Sequence, residues 1–222
     1  MNVEPPKSEE ELLRRARALA GHPLGAIAER LCLPWADTSR SKGFVGQLLE
    51  RALGATATSR AEPDFVGLGI ELKSVPVDAY GKPSETTFVC TADLTEMATR
   101  WEQSRVRKKL ARVLFVPVEA DRALAQPQRR VGMPFLWRPS AEEEGLLRGD
   151  YEEFAELVSA GRVEEITAHL GQVLQMRPKG RNARQVRWGV DEDGTPIRVP
   201  PRGFYLRAPF VGSLLQRAYA IA

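Results

Sequence analysis

With 222 residues, 43% of them hydrophobic and 27% charged, the chain has the make-up of an ordinary globular protein, long enough for one good-sized domain or two closely packed lobes. No apolar run approaches the roughly 18 residues that a membrane span needs, and the polar, acidic opening Met1-Asn2-Val3-Glu4 does not read as a secretory signal, so a cytoplasmic protein is expected. The net charge is only +3, the two thiols (Cys32, Cys90) are expected to be reduced core residues, and with His22 and His169 they make no zinc constellation; a glycine-rich phosphate loop is also absent.

The first 54 residues read as helical. Ser8 followed by Glu11 resembles a capping box opening a helix through about Ala20. Pro23 starts a second helix to Leu33. A third, from about Ser41 to Leu53, carries Phe44, Val45, Leu48, Leu49, Ala52 and Leu53 on one stripe and ends at Gly54. Glu50 falls off that stripe, either solvated or aimed into a cleft. Strands follow from about 65 to 120, interrupted by a turn at Tyr80-Gly81-Lys82-Pro83 and a short basic helix over 102–112. Val113 to Val118 reads as a buried strand. Residues 140–170 are helical again, and short strands at Val173–Arg177 and Phe204–Arg207 precede a helix at about Phe210–Ala220. The pattern predicts a central mixed sheet flanked by helices.

Charge is distributed unevenly. Residues 100–112 and 177–187 are strongly basic, whereas Glu142, Glu143, Glu144, Asp150, Glu152, Glu153 and Glu156 pool the compensating acids. This predicts a polyanion-binding face and an opposing acidic one, although two solvated helix faces also fit.

The chemistry-bearing segment is Pro63-Asp64-Phe65-Val66-Gly67-Leu68-Gly69-Ile70-Glu71-Leu72-Lys73. Val66, Leu68, Ile70 and Leu72 alternate, as one face of an extended segment does. Glu71 and Lys73 then share the opposite face, where Gly67 and Gly69 leave room for a ligand. Asp64, Glu71 and the main-chain carbonyl of Leu72 form an oxygen set suited to a hard divalent cation. Lys73 beside it suits the handling of an attacking water on a phosphodiester. A Glu-x-Lys pair also fits a merely polar strand face.

Pro63-Asp64 with Glu71-Leu72-Lys73 is the Pro-Asp…(Asp/Glu)-x-Lys signature of the restriction-endonuclease-like superfamily. More closely, the chain resembles the MutH family of DNA mismatch-repair endonucleases. The resemblance lies in residues 42–50, Pro76-Val77-Asp78, residues 85–90, Trp101-Glu102 and residues 106–110. It continues through residues 128–132, 175–179 and 201–206, and is poor over 186–199 and 95–100. It implies an α/β, restriction-endonuclease-like fold: one endonuclease domain over 1–222 whose two lobes form a DNA-binding cleft. It also implies a monomeric enzyme that uses one or two Mg2+ ions to nick the unmethylated strand at hemimethylated GATC sites in double-stranded DNA, activated by a MutL-like repair ATPase. Glu50 then joins Asp64, Glu71 and Lys73 at the active centre, with Lys109 as a second active-site lysine. Lys42, Phe88, Arg177, Lys179, Tyr205 and Arg207 contact DNA. A stand-alone restriction-type endonuclease and a non-catalytic DNA-binding module are the competing readings.

Overall fold

The structure is a computed structural model that describes residues 3–33, 35, 43–57, 61–94, 97, 99–179, 187–190, 193 and 195–220. In chain order its main elements are α1 (Glu9–Arg17), α2 (Leu24–Arg30), α3 (Phe44–Leu53), β1 (Glu71–Val77), β2 (Thr87–Ala92), α4 (Arg105–Leu110), β3 (Val113–Glu119), β4 (Phe135–Trp137), α5 (Ala141–Ser159), β5 (Leu174–Pro178), β6 (Arg187–Val190), β7 (Pro196–Val199), β8 (Arg202–Leu206) and α6 (Ala208–Tyr219). The chain is therefore of the expected α/β class.

Two compact units are distinguished. The first comprises Met1–Glu85, Ala111–Arg138 and Gly212–Ala222; the second comprises Thr86–Leu110 and Pro139–Val211.

In the first unit, α1 begins where Ser8 Oγ accepts the Glu11 N–H at 3.1 Å, with Glu9, Glu10 and Glu11 at its positive end. The Glu11 carboxylate accepts the Lys7 N–H at 2.8 Å, so the expected box is closed one residue early. Pro23 caps α2, and α3 presents Phe44, Leu48, Leu49 and Leu53 to the core as its stripe predicts. β1 runs parallel to β3, with Lys73 opposite Phe115, and β4 adds antiparallel on the other side of β3. β3 is buried from Val113 through Val118 because both of its faces are covered. Leu114, Val116 and Val118 join the helical core, while Phe115 stacks on Phe135 and packs against Trp137.

In the second unit β8 is the centre of an antiparallel sheet, β2-β8-β5. One face packs on α5 through Phe204 with Tyr151 and Phe154. α5 opens with a complete capping box, Ser140 and Glu143. Its buried Asp150 accepts three main-chain N–H groups, from Gln172, Val173 and Leu174, at 2.7 to 2.8 Å, and so sets where β5 starts.

Four expectations change. The helix expected over 140–170 ends at Ser159, with a 3₁₀ turn at Val163–Glu165 beyond it. Residues 66–68 form a 3₁₀ turn instead of a strand. Cys32 is exposed at a left-handed φ of 54°, just past α2, while Cys90 is buried. The short strand β4 and the β6–β7 hairpin are additional to the elements read from the pattern.

Candidate active site

The acidic residues belong to the first unit. Phe65 and Ile70 exchange both main-chain hydrogen bonds, at 2.9 and 3.4 Å, and close residues 66–69 into the 3₁₀ turn. Gly69 ends it at φ 63°, a left-handed position that suits glycine. The reversal brings Asp64 alongside β1, where its Oδ2 accepts the Leu72 N–H at 2.8 Å. The Asp64 carbonyl in turn accepts the N–H groups of Thr56 and Ala57. The alternating face predicted from Val66 to Leu72 thus fails upstream of Ile70, and Val66 is 43% exposed. Glycines that read as room for a ligand instead permit the turn that places the carboxylate.

Glu71 and Lys73, two apart on β1, share a face as strand alternation requires. Lys73 Nζ donates to Glu71 Oε1 at 2.8 Å, and both side chains are almost wholly buried. Glu50 reaches the same neighbourhood from α3: a methyl group at Gly46 would lie 3.9 Å from Glu50 Oε1 and 4.0 Å from Ser74 Oγ of β1. Burial, then the charge of Glu71 and more weakly that of Glu50, push the Asp64 carboxyl up to about 6, while the Leu72 N–H and Lys73 pull it down.

The fit to a cation follows from this chemistry. Asp64, Glu71 and the Leu72 carbonyl offer oxygen only, which suits a hard divalent ion. Burial and, after it, the Glu71 charge raise Asp64, and a cation beside the two carboxylates offsets both penalties on the charged form. Among the described residues no group of three or more His, Cys, Asp or Glu side chains is gathered to hold an ion.

Lys109 lies near the end of α4 in the second unit and is 4% exposed. Six residues make a helix too short to persist alone. Ser104 Oγ accepts the Arg107 N–H at 3.1 Å at its start. Glu144 of α5 accepts Arg107 Nε at 2.7 Å and Trp101 Nε1 at 3.3 Å, tying the helix and the turn before it to α5. Arg148 likewise pairs with Glu102 and Glu152. The basic and acidic stretches are therefore partly interleaved in space, and the expected separation into opposing faces does not hold for α4 and α5.

The second unit also assembles the residues assigned to DNA contact. Phe88 of β2 stands opposite Tyr205 of β8, with ring centroids 5.3 Å apart in an edge-to-face arrangement. The Arg177 guanidinium carbon lies 4.5 Å from the Tyr205 centroid, and Lys179 Nζ lies 4.1 Å from that of Phe88. Burial lifts the Tyr205 phenol above its usual range, against the opposing charge and hydrogen bond of Arg177. Phe88 is 36% exposed, so core packing does not account for it. Gly203 lies close to both rings: a Cβ there would stand 3.0 Å from the Phe88 ring and 3.3 Å from that of Tyr205, so that the rings would have to give by a few tenths of an ångström. Arg207 is not one of this group; its Nη2 donates to the carbonyls of Ala168 and Leu170. Lys42, Arg181 and Arg184 lie outside the described residues, as does the side chain of Arg187. The Glu144 bracket and the Asp150 anchor carry no sequence signal, because each joins segments more than 20 residues apart.

Comparison with known proteins gives a consistent result. Residues 53–150 match the family described as DNA mismatch repair enzyme MutH. The chain is 52% identical over 220 residues to the DNA mismatch repair protein MutH of Serratia proteamaculans, covering 98% of this chain and 96% of that protein. It is 52% identical over 221 residues to the protein of the same name from Yersinia enterocolitica, again covering 98% and 96%. The Yersinia pestis counterpart is 51% identical over 220 residues, with the same coverage.

Proposed function

Since the chain belongs to the MutH family and is an endonuclease of DNA mismatch repair, we propose that it nicks the unmethylated strand of hemimethylated GATC sites, using magnesium held by Asp64, Glu71 and the Leu72 carbonyl. The observation that carries this reading is the convergence of Asp64 and Glu71 with Lys73 on the rim of β1. When bound, the ion supplies Lewis-acid polarisation of the scissile phosphate and a more acidic water.

The chain's own groups do the rest. Lys73, held against Glu71, orients the attacking water. Glu50 adds a third negative charge that favours cation loading and helps hold solvent in place. Lys109 offsets the charge that builds on the phosphate in the transition state. The Phe88–Tyr205 face with Arg177 and Lys179 reads base edges in the major groove, where both guanine acceptors and the adenine N6 methyl group project. Lys42 and Arg207 complete the DNA contacts, and the remaining arginines hold phosphates without regard to sequence. The protein acts as a cytoplasmic monomer under the control of a MutL-like ATPase.

Asp64→Ala and Glu71→Ala test this reading. Each is expected to abolish nicking in magnesium while duplex binding is retained or improved, because negative charge near phosphate is removed. Wild-type nicking by either variant contradicts the assignment.

A further inference from the structure

The strand β2 is irregular at Val89. Phe88 stands opposite Tyr205, but Cys90 stands opposite Phe204 and Thr91 opposite Gly203. In a regular strand, residues 88 and 91 point to opposite faces. The extra residue of the bulge puts them on the same face. Thr91 thereby reaches the aromatic and cationic array, and its Oγ1 accepts a hydrogen bond from Lys179 Nζ at 2.9 Å. That same Nζ stands over the Phe88 ring. Lys179 follows the last residue of β5, and its main-chain N–H is bonded to the Pro201 carbonyl at 2.6 Å, so the backbone is anchored where the long side chain leaves it. An ammonium on a four-carbon stem samples many rotamers unless something selects one. Here a hydroxyl and a ring face together select one.

We propose that Thr91 is a positioning residue for base recognition: its hydroxyl, carried to the reading face by the β2 bulge, holds the Lys179 ammonium over Phe88 and so sharpens discrimination of the base pair that Lys179 meets. This inference rests on the assignment of Lys179 as a DNA contact. Thr91 touches no DNA in this scheme and acts only through Lys179. The bland account of a threonine in a strand is its branched shape, and Thr91→Val preserves that shape while removing the acceptor. Thr91→Ser does the opposite.

The test compares kcat/KM for nicking of a GATC duplex with that for duplexes carrying one altered base pair, using the full-length protein and recording Tm for each variant. Thr91→Val is expected to lower discrimination at one position of the site by about tenfold, the lower end of the effect of losing one hydrogen bond to a charged group, with Tm nearly unchanged. Thr91→Ser is expected to restore most of it. Adding Thr91→Val to Lys179→Ala is expected to change nothing further. If Lys179→Ala erodes discrimination but Thr91→Val leaves it intact, or slows all duplexes alike, the positioning role of Thr91 is wrong and the assignment of Lys179 stands. If Lys179→Ala leaves discrimination intact, that assignment is wrong and the role of Thr91 goes with it.

Discussion

Asp64 carries the most consequential electrostatics in the first unit. Its folded-state pKa of about 6 exceeds the ordinary 3.8, chiefly through burial and then the Glu71 charge. A raised carboxyl pKa means that the folded state binds the proton more tightly than the unfolded chain. The ion-free protein is therefore expected to lose stability as pH rises from about 4 through about 6, by roughly 2 to 3 kcal/mol in all, with the full penalty present at neutral pH. Asp64→Asn removes the penalty while keeping an acceptor for the Leu72 N–H. Its Tm in EDTA at neutral pH is expected to exceed that of wild type, and the difference to vanish near pH 4; an unchanged or lower Tm at neutral pH contradicts the strained-carboxylate picture. Lys73 is expected to behave differently. Lys73→Ala should lower the single-turnover nicking rate by several orders of magnitude with little change in duplex affinity, because its work is confined to the transition state. A raised dissociation constant with a preserved rate would assign it to binding instead. The carboxylates and Lys73 were legible in the sequence because they lie within eleven consecutive residues. Glu50 and Lys109, which come from other elements, were legible only through family resemblance. Thr91 was not legible by either route, since its role depends on a bulge that no local pattern announces.

At the scale of elements, α3 was read to its end because its apolar stripe and the terminating Gly54 coincide, whereas the helix expected over 140–170 stops at Ser159. The segment before β1 was misread because alternating apolar residues and glycines describe a strand and a tight turn equally well, and the Phe65–Ile70 pairing decides between them. That difference matters for the proposed site, as the turn brings the Asp64 carboxylate to the Leu72 amide. In the second unit the corresponding device is Asp150. Its carboxylate satisfies three amides at the head of β5, the strand that carries Arg177. Asp150→Ala leaves those buried amides without their acceptor and is expected to destabilise the protein by about 3 kcal/mol or more, measured by urea denaturation. Asp150→Asn, keeping one acceptor oxygen, is expected to fall between the two. A loss under about 1 kcal/mol for the alanine variant would show that water replaces the carboxylate at no great cost.

Across the whole molecule the residues of the proposed site fall in both units: the first carries Glu50, Asp64, Glu71 and Lys73, and the second carries Lys109 and the Phe88–Tyr205 face with its cations. The α/β class was legible from the succession of periodicities, and the membership of strands in sheets was not, because β2 finds its partner in β8, about 110 residues downstream. The distribution of charge along the chain was a poor guide to the surface for a similar reason: Glu144 and Arg148 bond to residues that the linear pattern assigned to separate patches. The most direct test of metal-dependent, strand-selective nicking uses one duplex with a single hemimethylated GATC site and a distinct label on each strand, incubated with the protein and the repair ATPase in magnesium or in EDTA. The expected result is one product, from the unmethylated strand, formed in magnesium, absent in EDTA and absent for Glu71→Ala. Cleavage that persists in EDTA, or that cuts both strands equally, would contradict it.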